Sequence, residues 1–148
     1  MGIYHCAIIA VDLTDESHQV LHHSLQMVGH DPNKLHLVHA CEHPITGYGE
    51  LTGKNHLITE TQIRQAVYPS LEKFSRKYKL LPSNIHINFG QPAAVIHSLA
   101  IQLQADLIVV GSHGKHGIQL LLGSTANSVI HGAACDVLTI RIKPEPNG

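Results

Sequence analysis

Ala105-Asp-Leu-Ile-Val-Val-Gly-Ser-His-Gly-Lys-His-Gly117, followed by Gly123-Ser-Thr125, is the stretch on which the fold turns. An apolar run that empties into glycines reads as a buried strand ending in a loop at Gly111. The second glycine-hydroxyl cluster reads as a helix start. In an α/β protein this pattern presents backbone N–H groups to a phosphate chain. A phosphate must approach the main chain closely, which a Cβ obstructs, and glycine also gives access to φ > 0. Nucleotide binding is therefore the leading expectation.

Outward from that stretch, strand-like and helix-like segments alternate along the chain. His5 to Val11 is a near-continuous apolar run that suits a strand buried on both faces. Thr14 or Asp15 is a candidate N-cap for a helix to about Val28, stopped by Gly29 and Pro32. Lys34 to Ala40 reads as the second strand, and the polar, glycine-containing stretch 43–55 as the longest connection. A long helix is expected from Thr59 to Tyr78, with Ile63, Ala66, Val67, Leu71 and Phe74 on its apolar face. Pro69 should kink or interrupt it. Further strands are expected at Ile85–Phe89, Asp106–Val110 and Cys135–Ile142. Helices are expected from Pro92 to Leu103 and from Ile118 to His131. Five strands separated by four helical segments imply one α/β domain over 1–148, a Rossmann-like parallel sheet with helices on both faces. Periodicity does not give the strand order. The order 3-2-1-4-5 would bring the loops after Asp12 and Gly111 together where the winding reverses.

Composition narrows the function. The chain has 148 residues, 43% of them apolar, and a formal net charge of −1. No basic stripe points to nucleic acid, and no apolar run approaches the ~20 residues of a membrane span. Three widely spaced cysteines without a C-x-x-C pair fit neither a disulfide framework nor a zinc site, and a reducing cytoplasm is expected. The 14 histidines show no carboxylate-histidine set with zinc spacing, so they read as solvated or hydrogen-bonded side chains, and no metal site is expected. His36 and His39 lie three apart on a strand and point to opposite faces. No catalytic elbow or Walker motif is present. For ATP hydrolysis only His113, Lys115 and His116 stand near the phosphate-loop pattern, so at most slow turnover is expected.

The opening Ile8-Ile-Ala-Val-Asp-Leu-Thr-Asp-Glu-Ser17, Gly90-Gln-Pro-Ala93, Asp106-Leu-Ile-Val-Val-Gly-Ser-His-Gly114 and Leu121-Leu-Gly-Ser-Thr125 together resemble the universal stress proteins of the UspA superfamily, over essentially the whole chain. The resemblance implies the 3-2-1-4-5 order, a stress-response role, and a homodimer formed through the final strand. That strand, Val137 to Ile142, is rich in β-branched residues and would leave an edge open to pairing. The resemblance also implies a site for ATP or another adenine nucleotide, with Mg²⁺ accompanying it. Ala10, Val11 and Asp12 would surround adenine and ribose, and the main chain of Ala40 would contribute beside them. Val110, Gly111, Ser112, His113 and Gly114 would contact ribose and phosphate. Gly123, Ser124 and Thr125 would hold the outer phosphates. The family signature is commonly written G-x2-G-x9-G-S/T; here eight residues separate Gly114 from Gly123, and Asp136 stands where many members carry proline. These departures support an alternative, a dimeric interaction protein of the same fold that binds no nucleotide. Asp12 itself has two readings, a cap for the following helix or an acceptor for a ribose hydroxyl.

Overall fold

A computed structural model of the chain describes residues 2–41, 59–113 and 126–143. Five parallel strands form one sheet: β1 (Ala7–Ala10), β2 (Leu35–Cys41), β3 (Ile85–Phe89), β4 (Leu107–His113) and β5 (Asp136–Ile142). Their order is β3-β2-β1-β4-β5. Neighbours pair in parallel throughout, with Ile8 opposite His36 on one side and Ile108 on the other. The expected order and parallel winding are both present.

Alternation along each strand divides the core in two. Ala7, Ile9, Leu37 and Val109 point to one face, under Val20 and Leu21 of α1 (Ser17–Met27) and Leu71 and Phe74 of α2 (Glu60–Tyr78). Ile8, Val38, Ile108 and Val110 point to the other. There they meet Ile96 and Leu99 of α3 (Pro92–Leu103) and Val129 of α4, a helix over 126–132. Burying each such branched aliphatic side chain contributes about 1.5–3 kcal/mol, which is why β1 and the first four residues of β4 read as unbroken apolar runs.

Local chemistry explains the helix ends. At the end of α1, His30 N–H bonds to the Leu25 carbonyl and Gly29 N–H to that of Gln26, a Schellman arrangement with Gly29 at φ 70°. The α2 start is a capping box: the Thr59 hydroxyl accepts from Gln62 N–H, and the Gln62 side chain accepts from Thr59 N–H. Gln91 caps α3, with Pro92 in its first turn.

Three expectations need correction. Helix α2 runs through Pro69 without interruption; Gln65, whose carbonyl loses its partner, is exposed and can turn to water. Ala66 is exposed rather than part of the apolar face. Strand β4 does not end at Val110 but continues through Gly111 and Ser112 to His113, because β5 pairs with it as far as Ile142. The expected fourth helix is described only from residue 126, and the connection at 43–55 lies outside the described residues.

Candidate functional site

In this strand order β1 and β4 are neighbours, and the chain leaves their carboxyl ends in opposite directions, β1 to α1 and β4 towards α4. A crevice must open where the two connections part. A cavity of about 180 Å³ lies there. Ala10, Val11, Asp12, Ala40, Val110 and Gly111, six of the residues expected at the site, line it together. Ser112 belongs to β4 but is not among the lining residues, and His113 ends that strand. Gly114, Gly123, Ser124 and Thr125 lie outside the described residues, as do Lys115 and His116.

Gly111 does not take the positive-φ loop conformation expected of it. It sits in a paired strand opposite Ile140, outside the positive-φ region. A Cβ there would fall 2.5 Å from Ile142 Cδ1 and 3.0 Å from Val20 Cγ2. The absent side chain lets Val20 of α1 and Ile142 of β5 pack closely over β4 beside the cavity.

Asp12 organises the β1–α1 turn. Its Oδ1 accepts from Thr14 N–H at 3.0 Å, the Thr14 hydroxyl at 2.7 Å and the buried Ser17 hydroxyl at 2.8 Å. Neither Thr14 nor Asp15 caps α1 with its side chain; Glu16 occupies the cap position without a side-chain bond, and the first N–H groups of the helix bond to the carbonyls of Thr14, Asp15 and Glu16. Between these residues Leu13 adopts φ 71°. For a bulky side chain that conformation is strained by about 1–3 kcal/mol, and such strain concentrates at ligand sites.

Among the described residues, the hydroxyl of Ser17 and apolar side chains complete the walls: Val20 from α1, Val38 from β2, Pro92 and Ile96 from α3, Ala126 from α4 and Ile142 from β5. One polar residue escaped the sequence reading. His39 lines the cavity, and its Nδ1–H donates to the Val11 carbonyl oxygen at 3.0 Å. That carbonyl lies just beyond β1. The signal available in the sequence was position: His39 immediately precedes Ala40 at the end of a strand already assigned to the site. Among the described residues no group of three or more His, Cys, Asp or Glu side chains could hold a metal ion. Nor is any described helix long and apolar enough to cross a membrane.

Residues 4–141 match the family model described as the universal stress protein family. The chain belongs to that family. Among curated relatives it is 39% identical over 111 residues to "Universal stress protein A homolog 2" of Coxiella burnetii, covering 74% of this chain and 75% of that one. To "Universal stress protein A homolog 1" of the same organism it is 33% identical over 141 residues, covering 95% and 98%. Solved structures agree on the fold. A universal stress protein from Pseudomonas aeruginosa superposes with a TM-score of 0.65 at 24% identity, covering 92% of this chain; the chain spans about half of that longer protein (47%). A universal stress protein in complex with cAMP gives 0.62 at 21% identity, covering 93% and 97%. One from Archaeoglobus fulgidus in complex with dAMP gives 0.55 at 22% identity, covering 95% and 99%. This family of stress-response proteins therefore accounts for both the motifs and the strand order.

Proposed function

We propose that the cavity between β1 and β4 binds an adenine nucleotide, with ATP as the leading ligand, and that the protein acts in the stress response as a sensor or signalling module. The observation that carries this reading is the convergence of Ala10, Val11, Asp12, Ala40, Val110 and Gly111 on one crevice at the winding reversal. Apolar walls with few polar groups suit a flat heterocycle. The Asp12 carboxylate suits a ribose hydroxyl, while Gly114, Gly123, Ser124 and Thr125 are the residues to receive the phosphates. Mg²⁺ would come with the phosphates, since it keeps waters and takes only one or two carboxylates from a protein. Relatives of the same fold in complex with cAMP and dAMP support the choice of base.

Asp136 does not weigh against this. It opens β5 at the amino end of the sheet, where it accepts a 2.7 Å hydrogen bond from the Tyr4 hydroxyl, whereas the cavity lies at the carboxyl end beside Ile142. Turnover is not part of the proposal. Among the described residues, the titratable side chains lining the cavity are Asp12 and His39, and both are engaged in local hydrogen bonds.

Calorimetry with ATP, with and without Mg²⁺, tests the reading. Binding at millimolar or tighter affinity is expected, and Ala40→Leu, which fills the crevice, should abolish it. No heat from clean, folded protein would favour the interaction-protein alternative. Homodimerisation through β5, an edge strand of the sheet, belongs to the same proposal. Light scattering at micromolar concentration should give twice the 16.1 kDa chain mass.

A further inference from the structure

We propose that His39 reads the base: it selects a purine carrying an amino group at C6 over one carrying a carbonyl. This rests on the adenine-nucleotide reading above. The polar side chains that line the cavity among the described residues are Asp12, Ser17 and His39. Asp12 and Ser17 bond to each other at 2.8 Å, and the other lining side chains apart from His39 are apolar or absent. His39 is the exception. A carbonyl oxygen can only accept, so the bond to Val11 places the ring hydrogen on Nδ1. In the neutral ring Nε2 is then an acceptor whose tautomer is set by the backbone. Nε2 has no partner among the described residues.

His39 is half-buried and lines the cavity, and an acceptor on such a side chain favours a ligand that brings an N–H donor. The exocyclic amine of a 6-aminopurine supplies one. A 6-oxopurine turns a lone pair towards Nε2 from the same position, and its only nearby donor, N1–H, lies one ring atom away, so the base must shift in the cleft to pair with Nε2 and loses part of its fit.

The test compares ATP with inosine triphosphate, which replaces the C6 amine by a carbonyl, by calorimetry on the full chain. The wild type should prefer ATP by at least about tenfold, about 1.4 kcal/mol. Two variants separate base reading from support of the Val11 carbonyl. In His39→Asn the amide N–H can replace Nδ1–H but nothing replaces Nε2, so the preference should fall to within about threefold while the circular dichroism spectrum is kept. His39→Gln places an amide near the Nε2 position and should retain most of the preference. A His39→Asn protein that still discriminates would reduce His39 to structural support and overturn the proposal. Equal binding of the two nucleotides by the wild type would overturn it while leaving nucleotide binding intact; binding of neither would sink both. Should His39→Asn not fold, the wild type still decides. At saturation the ¹⁵N resonance of His39 Nε2 must shift further with ATP than with inosine triphosphate, and a resonance unmoved by ATP rejects the assignment.

Discussion

The two ends of the sheet are built from the same strands and solve opposite problems. At the amino end polar groups are paired within the chain. The Asp106 carboxylate accepts from His5 N–H at 3.0 Å and Cys6 N–H at 2.9 Å, Asp106 N–H returns a bond to the Cys6 carbonyl, and Tyr4 is tied to Asp136. At the carboxyl end the strands run out into a cavity beside a strained Leu13 and a histidine with one nitrogen uncommitted among the described residues. One end closes the sheet off, and the other keeps an opening that a ligand can fill. Substitutions at the amino end should therefore move stability and leave binding alone. Those at the carboxyl end should move binding at a smaller or separable effect on stability.

The largest effect, and the one most able to break this division, belongs to Gly111. Gly111→Ala drives a methyl group against Ile142 and Val20, and overpacking of this kind costs about 1–3 kcal/mol. Urea denaturation should show that loss, and ATP affinity should fall with it, because both contacts border the cavity. Since the closest atom is Ile142 Cδ1, Ile142→Val in the same chain should restore part of the stability, giving a non-additive double-mutant cycle. Additive losses would mean that glycine at this position answers another need.

Asp106→Ala probes the other end. It strips the acceptor from two backbone N–H groups that water can partly reach and should destabilise the fold by about 0.5–1.5 kcal/mol, with ATP affinity unchanged. A comparable loss of affinity would show that the ends are coupled. Acid should act at the same place. Burial works to raise the Asp106 pKa, but the hydrogen bonds from His5, Cys6 and its own N–H, with the His5 charge, outweigh it and hold the carboxyl below its usual value. A depressed carboxylate contributes stability above its unfolded pKa and loses it as pH falls through the folded one. This contribution should therefore disappear only in strong acid, and Asp106→Ala should remove it from the pH profile.

A milder pH effect arises earlier. His36 Nδ1 and His86 Nε2 lie 3.0 Å apart across β2 and β3, sharing one hydrogen. Burial lowers both pKa values, and for His36 the neighbouring His86 charge lowers it further. The folded state thus prefers both rings neutral. Their contribution is intact above the ordinary histidine value of 6.5 and is lost as pH falls through the lowered folded values. Urea midpoints measured between about pH 7.5 and pH 5 should fall. A His36→Leu/His86→Leu double variant should flatten the fall, because replacing both partners removes the titration without orphaning either.

How much of this was legible beforehand follows from the range of the interactions involved. Gly29, Thr59 and Pro92 act within one helical turn, and each marked its helix end in the sequence. The alternating apolar runs fixed the strands because burial on both faces is local information. Strand pairing is not local. The extension of β4 through Gly111 to His113 depends on β5, which lies about 25 residues later, so a glycine that read as a loop opener became a packed strand residue. Pro69 shows the same limit, since the tolerance of the helix depends on which side faces water. The site was visible as a pair of loops and a strand end; His39 was missed because its role depends on a carbonyl 28 residues away.

The smallest stability effect is expected at Asp12, where the comparison of the two ends is sharpest. Asp12→Asn keeps an oxygen at the Oδ1 position, so the bonds from Thr14 and Ser17 can persist, and stability should change by no more than about 0.5 kcal/mol. The negative charge is nevertheless gone. If the carboxylate accepts a ribose hydroxyl, the charge-assisted part of that bond is lost, and ATP affinity should fall roughly three- to tenfold. The same substitution at Asp106 also preserves an acceptor while removing charge, but should leave ATP affinity where it was. Calorimetry on the two Asn variants side by side isolates charge from geometry at each end. Equal affinities in both would confine Asp12 to shaping the turn, and the ligand contact would have to be sought among the backbone groups of Val11 and Ala40.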